Sequence, residues 1–230
     1  MNIKRKILLA AMMVLFGMPM VYSAAAQTSD EVTEAVNFLY RADNLSKLKV
    51  YKLADTEKAA VAPQIADKLI TSGKEFEKLN RAAKKVLKYH GLSNHCSLVA
   101  FELVVPTVFT YQLRSISFSS KALEILSEDE ISALVAHEVG HLYLAKDLAD
   151  ARIKEDARAA RIAELKCDAI ALITLKELGI KPVKLISAVK KLINARKKVG
   201  FGDLSEQSAS LKNRKDLLNI FLKRIETDKN

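Results

Sequence analysis

Apolar residues recur at helical spacing along most of this chain. The clearest stretch is Ser127 to Asp147, where Ile131, Leu134, Val135, Val139 and Leu142 form one stripe. Ser127 followed by Glu130 is a capping box, and Glu128 and Asp129 place negative charge in the first turn. The pattern predicts an amphipathic, partly buried helix. Lys154 to Leu178 repeats the period with Ala157, Ala160, Ile162, Leu165, Ala169, Leu172 and Ile173. Upstream, Thr28 to Lys49 reads as a helix with Thr28 and Glu31 as its capping box and Val32, Val36 and Leu39 as its stripe. Thr56 to Ile70 reads as a second, interrupted or kinked near Pro63. Lys74 to Tyr89 reads as a third, closed by Gly91. Downstream of Gly179, Pro182 opens a helix to about Lys198, with Val183, Ile186, Val189, Leu192 and Ile193 on its face. Gly200 to Ser210 reads as a polar loop, and Leu211 to Ile225 as the last helix.

Two stretches break the helical period. Ser97 to Val105 and Val108 to Phe118 are rich in Val, Phe and Leu, alternate in part, and are separated by Pro106. They predict two or three strands. The expected fold class is therefore α+β: a mainly helical chain with a small β-sheet beside the Ser127 helix. No internal repeat or low-complexity linker divides it.

The N-terminus reads differently. Lys4, Arg5 and Lys6 precede an apolar run from Ile7 to Val21, and Ala24-Ala25-Ala26 offers a small-residue cleavage site. Residues 1–26 are thus expected to be a signal peptide. The competing reading is an uncleaved anchor, but the run is short for a span and contains Gly17 and Pro19. Export places the mature chain, 27–230, in the periplasm or outside the cell as a single domain. Its expected divisions are N-terminal helices over 27–95, the sheet and two site helices over 96–178, and C-terminal helices over 179–230. The formal net charge of the 230 residues is +10. Residues 1–26 hold three of the 37 basic residues and none of the 27 acidic ones, so removal leaves a net charge near +7. The lysines are spread along helix faces rather than clustered with aromatics, which argues against nucleic-acid binding. Peripheral contact with an anionic membrane surface stays open.

Within the Ser127 helix stands His137-Glu138-Val139-Gly140-His141. His137 and His141 are one turn apart and point the same way, so two imidazoles can take one zinc ion. Glu138 lies roughly 100° round the helix, beside the metal rather than on the ligand direction. It can take a proton from a zinc-bound water, which is the mechanical content of the H-E-x-x-H pattern. Gly140 is costly in a helix interior, which suggests a close packing or ligand approach there. A catalytic zinc needs a third protein ligand, and Glu164 is the candidate. Asp168, one turn later, can accept a hydrogen bond from the outer nitrogen of a ligand histidine. Asp147, Asp150, Glu155 and Asp156 follow His141 too closely to return easily to the metal. His90 and His95, after the third helix, are further candidate ligands or simply exposed loop histidines. Cys96 and Cys167 are the only cysteines. In an exported chain they permit one disulfide, and the competing reading of Cys167 is a small buried residue.

H-E-x-x-H, then about twenty residues, then Glu164-x-x-x-Asp168, resembles the gluzincin metallopeptidases, and most closely their HtpX and CaaX-prenyl-protease type. Tyr111 to Phe118, Lys121 to Leu126 and Leu126 to Glu130 look like the strand, short helix and acidic capping segment that precede the zinc helix there. The likeness covers roughly Val99 to Leu175. It implies a zincin-like metallopeptidase domain holding one zinc through His137, His141 and Glu164, with Glu138 as general base. It also implies a polypeptide substrate that lies extended along a sheet edge, either Val99 to Leu103 or Gln112 to Ile116. One departure stands out. The family has a His-Pro pair where this chain has Ser208 and Ala209, followed by an arginine that Arg214 would match. There, the histidine and arginine help hold the oxyanion. The expected function is a zinc endopeptidase of the exported compartment. The alternative is a catalytically silent zinc-binding relative that regulates other envelope proteins. A basic membrane-binding helical module, with incidental histidines, is a third reading. Oligomeric state is not legible.

Overall fold

The computed structural model describes residues 29–41, 61–201 and 204–227. The signal-like segment 1–26 and the expected cap at Thr28 lie outside them. The first helix is α1 (Ser29–Arg41). Its buried Glu31 is bound by the Arg161 guanidinium, with Nε and a terminal nitrogen 2.9 and 2.8 Å from Oε1.

The next described segment, from residue 61, departs from the expected Thr56–Ile70 helix, whose first five residues lie outside the described ones. Pro63–Lys68 is a single 3₁₀ stretch, and Leu69–Ile70 is a short strand, β1. Pro63 sits at the start, where its missing N–H costs nothing. The chain then extends because Leu69 and Ile70 pair with Phe101 and Ala100. α2 (Lys74–Tyr89) has the expected bounds. It closes on Gly91 at φ +66, with the Leu92 N–H on the Leu87 carbonyl at 2.8 Å. That is a glycine-terminated helix end in which the left-handed residue lacks a Cβ to clash.

Three further strands follow: β2 (Ser97–Phe101), β3 (Val108–Tyr111) and β4 (Ser115–Ser119). The sheet order is β1-β2-β4-β3, with β2 parallel to β4 and the other pairs antiparallel. β4 is wholly buried. Its Ile116 and Phe118 face the helices, while Phe109, Val99, Phe101 and Ile65 form a small cluster on the other side. Edge positions fall to β1 and β3. Both segments expected to supply the free edge, Val99 to Leu103 and Gln112 to Ile116, contribute instead to strands paired on both sides. The order of strands depends on long-range pairing, which local alternation does not encode.

α3 (Ser120–Ile125) leads to α4 (Glu128–Tyr143), the helix that carries the histidines. The capping box forms as expected: the Ser127 N–H donates to Glu130 Oε2 at 2.7 Å, and the Glu130 N–H donates to Ser127 Oγ at 3.3 Å. α4 is not half-exposed, however. Every residue from Glu130 to Gly140 is buried. The side expected to face water carries Ser132, Ala133, Ala136 and Gly140, whose small size lets other helices close over it. α2 packs against it, as do α6 (Ala157–Glu177) and α7 (Val183–Lys198). Between α4 and α6 runs the short α5 (Ala145–Ile153), and Asp156 caps α6 by accepting from the Ala159 N–H at 2.9 Å.

The last helix, α8, spans Leu204–Thr227 and packs on α1, α6 and α7. It begins within the expected loop of Gly200 to Ser210. From Leu204 the stretch contains residues a helix tolerates, and Gly200, at φ +70, stops α7. The described fold is mostly helical with a small four-stranded mixed sheet. Among the described residues, no helix is long and apolar enough to cross a membrane.

Candidate metal centre

α4 and α6 lie side by side, and the polar groups of the centre converge where they meet. His137 and His141 project from one face of α4, their rings 5.1 Å apart and almost perpendicular. Together with Glu138 they form a group whose ligand atoms lie within 4.8 Å of one another. His137 and Glu138 are buried, and His141 keeps about a fifth of its side-chain surface exposed, at 19%. This group can hold a metal ion.

α6 supplies the carboxylates expected of it. Glu164 Oε2 lies 3.4 Å from His137 Nε2, and its Oε1 lies 3.9 Å from His141 Nε2. Ligands about 2.0–2.1 Å from a tetrahedral zinc stand about 3.4 Å from each other. The first distance meets that spacing, and the second needs a small inward movement of a half-exposed carboxylate. Asp168 is almost fully buried behind the site, its Oδ1 accepting from His137 Nδ1 at 2.8 Å. A proton held on Nδ1 leaves the Nε2 lone pair facing Glu164. The donor set of two imidazoles and a carboxylate suits a divalent transition-metal ion.

Arg214, on α8, reaches the same place. One terminal nitrogen donates to Asp168 Oδ1 at 2.6 Å, and the other stands 3.8 Å from Glu164 Oε2. It therefore balances the charge of two carboxylates while pinning the C-terminal helix to the site. Ser208 and Ala209 lie on the first turns of that helix rather than in a loop.

These charges set the protonation. Burial opposes a charged His137, but the adjacent Asp168 carboxylate outweighs it and pushes the imidazole up to about 10. A cation binding at Nε2 takes the place of that proton, so affinity rises with pH. Burial likewise opposes ionised Glu164, yet His141, His137 and Arg214 hold its carboxyl well below the usual range.

Two contacts were not anticipated, and a third was. Thr110 Oγ1 donates to Glu138 Oε2 at 2.9 Å, so edge strand β3 holds that carboxylate in place. Cys167 Sγ lies 3.6 Å from His141 Nδ1. A Cβ on Gly140 would meet Cys167 Cα at 2.7 Å, which is the close packing its place in the helix suggested. Of these, Cys167 had a readable signal, because it shares a helical face with Glu164. Thr110 had none, since only the sheet register brings it to α4.

The remaining candidates lie elsewhere. Cys96 and Cys167 are both free and buried, so the disulfide that the sequence permits is not formed and Cys167 is the small buried residue of the competing reading. Burial, with some help from the Glu138 charge, pushes the Cys96 thiol up to about 12. Cys167 instead fills the α4–α6 crossing. His90 is buried between α4 and α6, using Nδ1 on the Tyr143 hydroxyl and Nε2 on Thr174 Oγ1, both at 2.9 Å. Thr174 gives its own proton to the Ile170 carbonyl, so His90 Nε2 donates to it and Nδ1 accepts from Tyr143. Both nitrogens are committed to structure rather than to a metal. His95 lies outside the His137–Glu138–His141 group. No protein-family model matches this sequence, and no curated protein is significantly similar to it.

Proposed function

We propose that this protein is a zinc-dependent endopeptidase with a zincin-like site, binding one zinc through His137, His141 and Glu164. The observation that carries the reading is the arrangement of the two glutamates. Glu164 approaches Nε2 of both histidines from α6. Glu138 lies 3.8 Å from His141 Nε2, with Thr110 holding its Oε2 against β3. Because Glu164 comes within reach of both histidines and Glu138 is tied to Thr110, we read Glu164 as the ligand and Glu138 as the group that handles protons. Bound zinc supplies Lewis acidity, which acidifies water and polarises a peptide carbonyl. Glu138 then accepts the proton of the attacking water and passes it to the leaving amine. An extended polypeptide fits beside β3, the edge strand that also carries Thr110. Export as a periplasmic or secreted enzyme rests on the signal-like sequence of residues 1–26.

The silent zinc-binding alternative draws on Arg214. Its guanidinium engages Asp168 and Glu164, and no His-Pro pair accompanies it. A paired assay separates the two readings. Zinc-loaded wild type should cleave unfolded casein, and Glu138→Gln should keep its zinc while losing about 10²- to 10⁴-fold in rate. Equal rates from the two proteins rule out Glu138 as the base, and no cleavage by either favours the silent relative.

A further inference from the structure

Behind each imidazole of the centre stands one residue of α6, and the two are neighbours in sequence. Asp168 Oδ1 faces Nδ1 of His137 at 2.8 Å, and Cys167 Sγ faces Nδ1 of His141 at 3.6 Å, within reach of a hydrogen bond to sulfur. Glu164 lies one turn earlier on the same face. A neutral imidazole carries a single proton, so its Nε2 is a ligand only when Nδ1 holds that proton and donates it. An ionised carboxylate can only accept, which settles the tautomer of His137. His141 needs an acceptor in the corresponding place, and the sulfur of Cys167 can serve as one.

Gly140 shows why a residue of this size stands there. An ideal Cβ on Gly140 would lie 2.7 Å from Cys167 Cα and 2.8 Å from its Cβ, so the two helix backbones nearly touch. A long side chain at position 167 would part the helices. An alanine methyl would fit but could accept nothing, and a serine hydroxyl, on its shorter bond, would hold the ring only weakly. Cysteine is small at its base and reaches further at its tip.

We propose that Cys167 is a positioning residue of the metal centre: Sγ accepts the Nδ1–H of His141 and so keeps Nε2 turned to the ion. This role rests on the reading of the site as a zinc centre, and Cys167 acts through His141 without touching the metal. In chain order Glu164, Cys167 and Asp168 then become ligand, support for His141 and support for His137, all from one face of α6.

The test uses the full-length chain, ¹⁵N-labelled at histidine and loaded with zinc, as wild type, Cys167→Ala and Cys167→Ser. Zinc affinity is read by chelator competition and the His141 Nδ1–H by proton NMR, with thermal melts to confirm that each variant folds. Wild type should bind one zinc and show the Nδ1–H in slow exchange. Cys167→Ala should bind zinc about tenfold more weakly, with the Nδ1–H lost to exchange. Cys167→Ser should recover part of both. Unchanged affinity and an unchanged Nδ1–H in Cys167→Ala would overturn the role. If the alanine variant fails to fold, an unshifted Nδ1–H in the serine variant does the same. A sulfur-to-metal charge-transfer band on cobalt(II) substitution would make Cys167 a ligand and would also overturn it. A wild-type chain that takes up no zinc removes the zinc reading itself, a failure distinct from that of Cys167.

Discussion

Asp168 carries more at the centre than its place in the sequence suggested. Its Oδ1 accepts from His137 and from Arg214 at once. Truncation to alanine would therefore remove a partner of the Arg214 guanidinium as well as free the imidazole. Asp168→Asn is the sharper probe, because it keeps an acceptor oxygen and removes only the charge. It should hold the fold and weaken zinc binding about 10- to 100-fold, read by chelator competition. Binding at wild-type strength would mean that the carboxylate charge does not act through His137. Sequence spacing was enough to pair Glu164 with Asp168 on one helix face. It could not place Arg214, because the distance between α8 and α6 is a property of packing. Nor could it show that Cys96 and Cys167 stay apart, since spacing along the chain does not say whether two cysteines meet in the fold.

Between elements, the α4–α6 crossing sets the geometry of the centre. Gly140 is where the two helices approach most tightly, against the backbone of Cys167. In an isolated helix Gly→Ala gains about 1 kcal/mol. Here the added methyl meets a Cα, which cannot swing aside, so α6 must move and take Glu164 with it. Gly140→Ala should be destabilised by about 1–3 kcal/mol despite its better propensity, and should lose zinc affinity as well. Thermal melts and zinc titration check both, and a variant more stable than wild type would show that the crossing is looser than described. The helices were readable where caps and period agreed, as for α2 and for the capping box of α4. Two elements were not. Thr56 to Ile70 was read as a helix interrupted or kinked near Pro63, but pairing of Leu69 and Ile70 with β2 draws the end of that stretch into the sheet. Gly200 to Ser210 looked like a loop by polarity, though a polar stretch on an outer helix has the same composition. The burial of α4 on all sides was hidden as well, because alanines and serines give no apolar signal until neighbours close on them.

Across the whole molecule, buried polar groups tie the layers together, and they make the fold sensitive to acid. His90 links α2 to Tyr143 of α4 and Thr174 of α6, and burial lowers its pKa from 6.5 to about 4. The unfolded chain takes up that proton first. The stability His90 contributes is therefore present above pH 6.5 and is lost as pH falls toward 4, by about 3 kcal/mol in all. Glu130 adds to this lower down. Burial would raise its carboxyl, but the Lys191 ammonium, the Ser127 N–H and the Ser187 hydroxyl bring it down to about 2. Its contribution is present above 4.5 and is lost as pH drops to about 2. Melting temperatures from pH 7 to pH 4 should fall steeply for wild type and less steeply for His90→Gln. Parallel curves would mean that His90 does not titrate with unfolding.

The claim on which the rest depends is that Glu164 completes a zinc site with His137 and His141. Zinc per chain after dialysis against a mild chelator tests it directly, on wild type and Glu164→Ala side by side. Wild type should retain one zinc, and the variant, left with two histidines, should retain almost none. Full retention in Glu164→Ala would contradict the assignment and turn attention to Glu138, the other carboxylate within reach of His141 Nε2.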